Sequence, residues 1–210
     1  MKLIFSRKKH GGFTLVEMAV VLVIIGLLLG GLLVPLSTQV ENERRTQTQK
    51  KLEEIKEALL GFAIVNDRLP CPDTNADGSE DTGCGANAFG DIPWQQLGVA
   101  NQDSWGQTFK YGVDVGFTSV FNLTTVGNLR VCTDNTCGTI LANQIPAVVF
   151  STGKEFIPRS ADEIENTDGA NNDYVSRTLN TVAASEFDDI IIWLSPNILF
   201  NQMVSAGRLP

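Results

Sequence analysis

The stretch KKHGGFTLVEMAVVLVIIG, Lys8–Gly26, decides how this chain begins. Basic residues precede two glycines, and the apolar run that follows contains a single carboxylate, Glu17. From Met18 to Leu36 there are nineteen residues without a charge. As a helix they would span about 28 Å, close to the hydrocarbon thickness of a bilayer. We therefore predict a helix from about Phe13 that crosses a membrane at about residues 15–36. A charge at that depth requires a partner or a function.

The uneven charge of the chain indicates its orientation. Residues 1–12 contain four basic and no acidic residues, while residues 13–210 have the other 12 basic residues and all 24 acidic ones. The positive-inside rule then predicts a cytoplasmic N-terminus in the inner membrane and a periplasmic remainder. An acidic remainder argues against binding to nucleic acid. A secretory signal peptide fits less well, because the apolar run is too long and no A-x-A-like site follows it.

The fold class predicted is α+β. Helical spacing of Leu52, Ile55 and Leu59 continues the first helix as an amphipathic half up to Asn66. Short β-type runs follow a long polar loop, and a last helix begins near Pro196. We predict a small antiparallel sheet with the long helix packed on it. The domains are residues 1–12 as a leader, 13–66 as the helix and 67–210 as an extracytoplasmic domain. The predicted strands are 108–115, 128–132, 145–151 and 187–194.

Four cysteines form two close pairs in loop-like sequence, Cys71 with Cys84 and Cys132 with Cys137. Downstream of an export segment, an even count favours two disulfides, and local pairing is the simplest of three connectivities. A zinc site with four thiolates is the alternative, although the spacings lack the usual C-x2-C knuckle.

The only histidine, His10, lies in the leader, so a processed chain would contain none. Ser-His and Cys-His nucleophile pairs and histidine metal sites are then excluded, and we predict that the protein is not an enzyme. Asp188 and Asp189 could suggest acid–base catalysis, but their place before an apolar run favours a role at a strand end.

Two polar segments suggest calcium as a cofactor. Asp73, Asn75 and Asp77 match the first half of a calcium loop, D-x-N-x-D-G, but position twelve is a cysteine. A polar turn held by a disulfide is the alternative there. The second segment, 162–173, is rich in oxygen ligands, and an acidic solvated loop is the alternative. Its candidate ligands are Asp162, Asp168 and Asp173.

The residues Gly11-Gly12-Phe13-Thr14-Leu15-Val16-Glu17 resemble the signature of type IV prepilins and of the pseudopilins of type II secretion systems. The stretch Asp103–Tyr111, DSWGQTFKY, is similar to one in pseudopilins and minor pilins. The resemblance implies a pilin-like fold. It also implies that a prepilin peptidase cleaves between Gly12 and Phe13 and that the new amino group of Phe13 is methylated.

In that family the glutamate after the cleavage site fixes the axial register between neighbouring subunits. The resemblance therefore implies an assembly role for Glu17. The partners implied are prepilin peptidase, other pilin or pseudopilin subunits and the inner membrane. The function expected is that of a structural subunit, a minor pilin or pseudopilin, in a type IV pilus or a type II secretion filament. The alternative is a membrane-anchored tip adhesin or binding module, which would be rare in the filament rather than repeated along it.

Overall fold

The computed structural model describes residues 12–85, 88–182 and 184–210, and it describes no side chain at position 29 or at positions 31–36. Most of the predicted basic leader, residues 1–11, lies outside the described part. The chain divides into two compact units, Met1–Glu43 and Arg44–Pro210. The helices are α1 Leu15–Asn66, α2 Trp94–Leu97, α3 Ala161–Thr167 and α4 Pro196–Ser205, with a 3₁₀ turn at Val115–Phe117. The strands are β1 Ala88–Asp91, β2 Lys110–Val113, β3 Leu129–Cys132, β4 Ile140–Ile145, β5 Ala147–Ser151, β6 Asp173–Val175 and β7 Ile190–Leu194.

In the first unit, the described side chains of α1 from Leu15 to Leu28 are apolar except that of Glu17. Every described side chain from position 12 to position 28 is exposed, including Phe13 at 80% and Leu15 at 87%. None of the helices, within the described residues, combines the length and the apolar character that a membrane crossing requires. The crossing predicted at about residues 15–36 includes position 29 and positions 31–36, whose side chains lie outside the described part.

In the second unit, the four-stranded sheet is antiparallel throughout, with the order β1-β2-β5-β7. Residues of α1 with the predicted helical spacing, Leu52, Ile55 and Leu59, are buried in the main core of this unit. The core also contains side chains of β2, β5, β7 and α4, so the α+β class with a helix on a small antiparallel sheet is confirmed.

A second sheet, with the order β4-β3-β6, corrects the prediction of one antiparallel sheet of about four strands. In it β3 pairs with β4 antiparallel and with β6 in parallel. Strand β5 contributes to two hydrophobic cores, because its alternate side chains lie on opposite faces of the sheet. Val149 is buried in the main core, and Val148 and Phe150 are buried in a second core that also contains residues of β3. Burial on both faces explains why β5 is a continuous apolar run rather than an alternating one.

The polar segment 160–173, read from the sequence as a loop, contains α3 instead. Ser160 caps it: the Ser160 hydroxyl accepts from the Glu163 N–H, and the Glu163 carboxylate accepts from the Ser160 N–H. This is the S-x-x-E capping box, which satisfies two donors that a helix start otherwise leaves unpaired. The motif is legible in the sequence, and its omission there was an error.

Candidate processing and assembly site

The first described residues form a short non-helical segment that ends at a helix cap. Gly12, Phe13 and Thr14 lie outside α1, which begins at Leu15. Both residues that flank the predicted cleavage bond are exposed, and a Cβ placed on Gly12 would meet nothing within 4 Å. The bond between Gly12 and Phe13 is therefore neither helical nor covered by other described parts of the chain.

Glu17 has a partner within its own chain, and that partner is Thr14. Its Oε2 accepts from the Thr14 N–H at 2.8 Å and from the Thr14 hydroxyl at 2.8 Å. The Glu17 N–H in turn donates to the Thr14 hydroxyl oxygen at 3.2 Å. Thr14-x-x-Glu17 is thus a second capping box, and it defines where α1 begins. The sequence implied an assembly role for Glu17 but did not lead to Thr14 as its partner, although the T-x-x-E spacing could have revealed it.

The capping box has a chemical consequence for the predicted cleavage. The carboxylate of Glu17 lies at the first turn of α1, where the helix dipole favours a negative charge. If the chain is cut after Gly12, a new ammonium group appears on Phe13, the residue before the cap. The carboxylate has lone pairs left for such a donor, either in its own chain or in a neighbour.

The DSWGQTFKY stretch forms a polar turn that ties three parts of the second unit together. Buried Asp103 accepts from the N–H groups of Trp105 at 2.8 Å and Gln107 at 2.9 Å, and from the Ser151 hydroxyl at 2.5 Å. Gly106 has a φ of +88°, which a side chain would strain. Lys51 of α1 donates to the carbonyl of Asp103 at 3.2 Å. The motif therefore links α1, this turn and the end of β5.

The four cysteines form two disulfides, Cys71–Cys84 and Cys132–Cys137, which is the local pairing. The first closes the loop that follows α1, and the second closes a short turn after β3. No cysteine is free among the described residues, so thiolates for a zinc site are absent from that part of the chain.

The first calcium candidate is a loop whose carboxylates bind its own backbone. Asp73 is buried and accepts from the N–H groups of Asn75, Ala76 and Gly78. Asn75 accepts from the Asp77 N–H at 2.9 Å, and Asp77 accepts from the Ser79 N–H at 2.8 Å. The structure thus places these three candidate ligands in one turn, which their side chains stabilise through hydrogen bonds with the backbone.

The second set of candidates is not brought together. Asp162 lies against Arg177 at 2.7 Å, and Asp173 forms a bidentate pair with Arg130. Asp168 is exposed and accepts from the N–H of Ala170 at 2.9 Å. Each carboxylate has a different partner, so the acidic residues of 162–173 do not converge on one point.

Comparison with known proteins supports the site formed by the Gly12–Phe13 bond and the cap of α1. A family model described as the prokaryotic N-terminal methylation motif matches residues 7–33. No curated protein and no solved structure matches the chain. The matched segment contains Gly12, Phe13, Thr14 and Glu17, the residues around the exposed bond and the cap. This chain therefore carries the N-terminal methylation motif that is the signature of type IV prepilins and pseudopilins.

Proposed function

We propose that this protein is a structural subunit, a minor pilin or a pseudopilin, of a type IV pilus or a type II secretion filament. Prepilin peptidase cleaves it between Gly12 and Phe13, and the amino group of Phe13 is methylated. The observation that carries the proposal is the exposed, non-helical Gly12–Phe13 bond directly before a helix that is capped by Glu17, within the matched motif.

The exposed apolar surface of α1 supports assembly through this helix. An apolar surface this extensive is rarely left in contact with water. The inner membrane covers it while the subunit is stored, and the same surface packs against other subunits in the filament. One helix then serves first as an anchor and afterwards as a polymerisation surface.

The amino terminus of the native protein tests the proposal. We expect the mature chain to begin at Phe13 with one methyl group on its amino nitrogen, because the peptidase removes residues 1–12. Mass spectrometry of the protein from its native membranes measures both features. A native chain that begins elsewhere, or an unmodified Phe13, would contradict the proposal.

A calcium ion at Asp73, Asn75 and Asp77 is a separate proposal, supported by the D-x-N-x-D-G pattern and by the common turn. We expect the full chain in detergent to release or absorb heat on titration with calcium, and Asp77→Ala to abolish that heat. Extracellular calcium modules bind at about 0.1–1 mM, which sets the range of the titration. No heat and no shift in melting temperature in that range would refute this site.

A further inference from the structure

Three acidic side chains from different elements meet inside the second unit. Glu163 of α3, together with Asp188 and Asp189 directly before β7, offers carboxylate oxygens that all lie within 4.8 Å of one another. All three side chains are buried, with exposed fractions of 2%, 7% and 5%. Three buried negative charges at this separation repel one another strongly, because the interior screens them poorly.

Backbone N–H groups neutralise part of this acidic cluster. Glu163 accepts from the N–H groups of Arg159, Ser160 and Asp188, with both of its oxygens engaged. One oxygen of Asp188, Oδ2, accepts from two further N–H groups, those of Lys154 at 2.7 Å and Glu155 at 3.1 Å. The other oxygen of Asp188, Oδ1, is buried and has no hydrogen-bond partner among the described residues. This buried acceptor therefore lacks a donor in the described part of the chain.

The backbone approaches the Asp188 carboxyl group closely at Gly153. Gly153 has a φ of +69°, and a Cβ there would lie 2.5 Å from the carboxyl carbon of Asp188. Asp189 accepts from the side-chain amide of Asn166 at 2.7 Å, and Asn166 is itself fixed by two hydrogen bonds with the backbone of Val175. These contacts hold the carboxyl groups of Asp188 and Asp189 in place. If one carboxyl group of the cluster binds a proton, its O–H group becomes a donor.

The charged groups around the cluster do not supply a neutralising cation. From α1, Arg45 donates to the backbone carbonyl of Asp188 at 3.2 Å rather than to its carboxylate. In the segment before α3, Arg159 is paired with Glu155 and Glu186, and Glu155 adds a further negative charge that acts on Asp188.

The other ionised groups of α3 and of the sheet beside it are paired away from the cluster. On α3, the Asp162 carboxylate pairs with Arg177, and the Glu165 carboxylate accepts from the side-chain amide of Asn171. On the neighbouring strands, Asp173 of β6 pairs with Arg130 of β3. Neither arginine is then left to neutralise the three buried carboxyl groups.

We propose that the cluster of Glu163, Asp188 and Asp189 holds a proton in the folded protein at neutral pH and acts as a pH-sensitive latch between β7 and the segment that leads into α3. A bound proton removes one of the three negative charges and therefore reduces the repulsion within the cluster. A calcium or magnesium ion would also offset this repulsion, and the response of the melting temperature to calcium distinguishes a bound ion from a bound proton.

Burial raises the pKa of Asp189 to about 8, and it also raises the pKa of Asp188. In an unfolded chain an aspartate has a pKa of about 3.9, so the folded state binds more protons between about pH 4 and pH 8. The bound proton therefore contributes its full stabilisation of the folded state below about pH 4. This contribution is lost as the pH rises through about 8. A carboxylate in an ion pair has the opposite pH dependence, because its contribution to stability is lost as the pH falls.

Thermal unfolding of the full chain in detergent, with EDTA present, tests the latch. We expect the melting temperature to fall by about 10 °C between about pH 5.5 and pH 8.5, the shift for one such proton in a chain of this size. Asp189→Asn, which keeps an uncharged side chain there at every pH, should flatten this profile and melt above wild type at high pH. Glu57→Gln removes an exposed carboxylate of α1 and should leave the profile unchanged. A flat wild-type profile, or an equal slope in Asp189→Asn, would overturn the proposal.

Two further measurements keep the test decisive. If Asp189→Asn fails to fold, calorimetric unfolding of the wild type at pH 7 in two buffers of different ionisation heat counts protons directly. We expect release of about one proton, and no release would overturn the latch. If calcium raises the melting temperature at high pH, and this rise disappears in Asp188→Asn but persists in Asp77→Ala, the cluster binds a cation and the proton proposal is wrong.

Discussion

Replacing Glu17 with alanine is expected to block incorporation of the subunit into filaments while leaving cleavage after Gly12 largely intact. Cleavage creates an ammonium group on Phe13, and Glu17 is the acidic residue of the first turn of α1. A charge-assisted hydrogen bond between them, within a chain or between neighbours, is stronger than one between neutral groups. Its loss at each subunit contact should reduce incorporation by about tenfold or more.

The capping box complicates this experiment, because alanine removes a cap as well as a charge. Two variants separate these effects. Glu17→Gln keeps an oxygen that can accept from the Thr14 N–H but has no charge, so it should fail to assemble as well. Thr14→Ala removes the hydroxyl of the cap, which costs about 1 kcal/mol of helix stability, but keeps the carboxylate and should still assemble.

Immunoblots of sheared filaments and of membranes, each normalised to wild type, measure assembly and processing separately. If Glu17→Gln enters filaments as well as wild type, the charge has no role in assembly. If Thr14→Ala fails and Glu17→Gln succeeds, the start of α1 matters and the carboxylate matters only as a cap. Both results would contradict the proposed role of Glu17.

Asp103→Ala is expected to destabilise the second unit by about 3–5 kcal/mol, within the range for the loss of a buried hydrogen-bonded network. The variant leaves the N–H groups of Trp105 and Gln107 without their acceptor. It also leaves the fully buried hydroxyl of Ser151 without its acceptor. Each unsatisfied buried group costs about 1–3 kcal/mol, so the total is large for one substitution.

Thermal unfolding of the full chain in detergent measures this effect as a fall in melting temperature of about 10 °C. Asp103→Asn keeps one carbonyl oxygen for the two N–H groups and should lose less than half as much. Asp168→Ala is the matched control, because this aspartate is exposed and accepts from one N–H only. A loss below about 1 kcal/mol in Asp103→Ala would show that the turn folds without its central carboxylate.

Local patterns in the sequence were sufficient for the elements whose residues interact with near neighbours. The amphipathic spacing of Leu52, Ile55 and Leu59 predicted that α1 packs on a domain, and these residues are buried there. The end of α1 at Asn66 and the start of α4 at Pro196 also lie where their signals placed them. Helix periodicity and turn residues report local geometry, which a single sequence contains.

Other features depend on residues far apart in the chain, and the sequence did not reveal them. The runs 108–115 and 128–132 were both read as strands of one sheet, but β3 belongs to a second sheet, where it lies in parallel beside β6. Strand order depends on which apolar faces are buried against one another. The sequence of one strand shows its own apolar face but does not show which other strand covers it.

The sequence alone determined the start of this protein: a basic leader, the Gly12–Phe13 bond, an apolar helix and Glu17 in its first turn. These features act through local chemistry, so their order along the chain is enough. Only the tertiary structure showed that Asp188 and Asp189, which precede β7 as expected, are buried beside a third carboxyl group. Their burial beside Glu163, about 25 residues away in sequence, turns two ordinary acidic residues into a site that favours a proton. The pKa of a carboxyl group depends on what surrounds it, and folding supplies those surroundings.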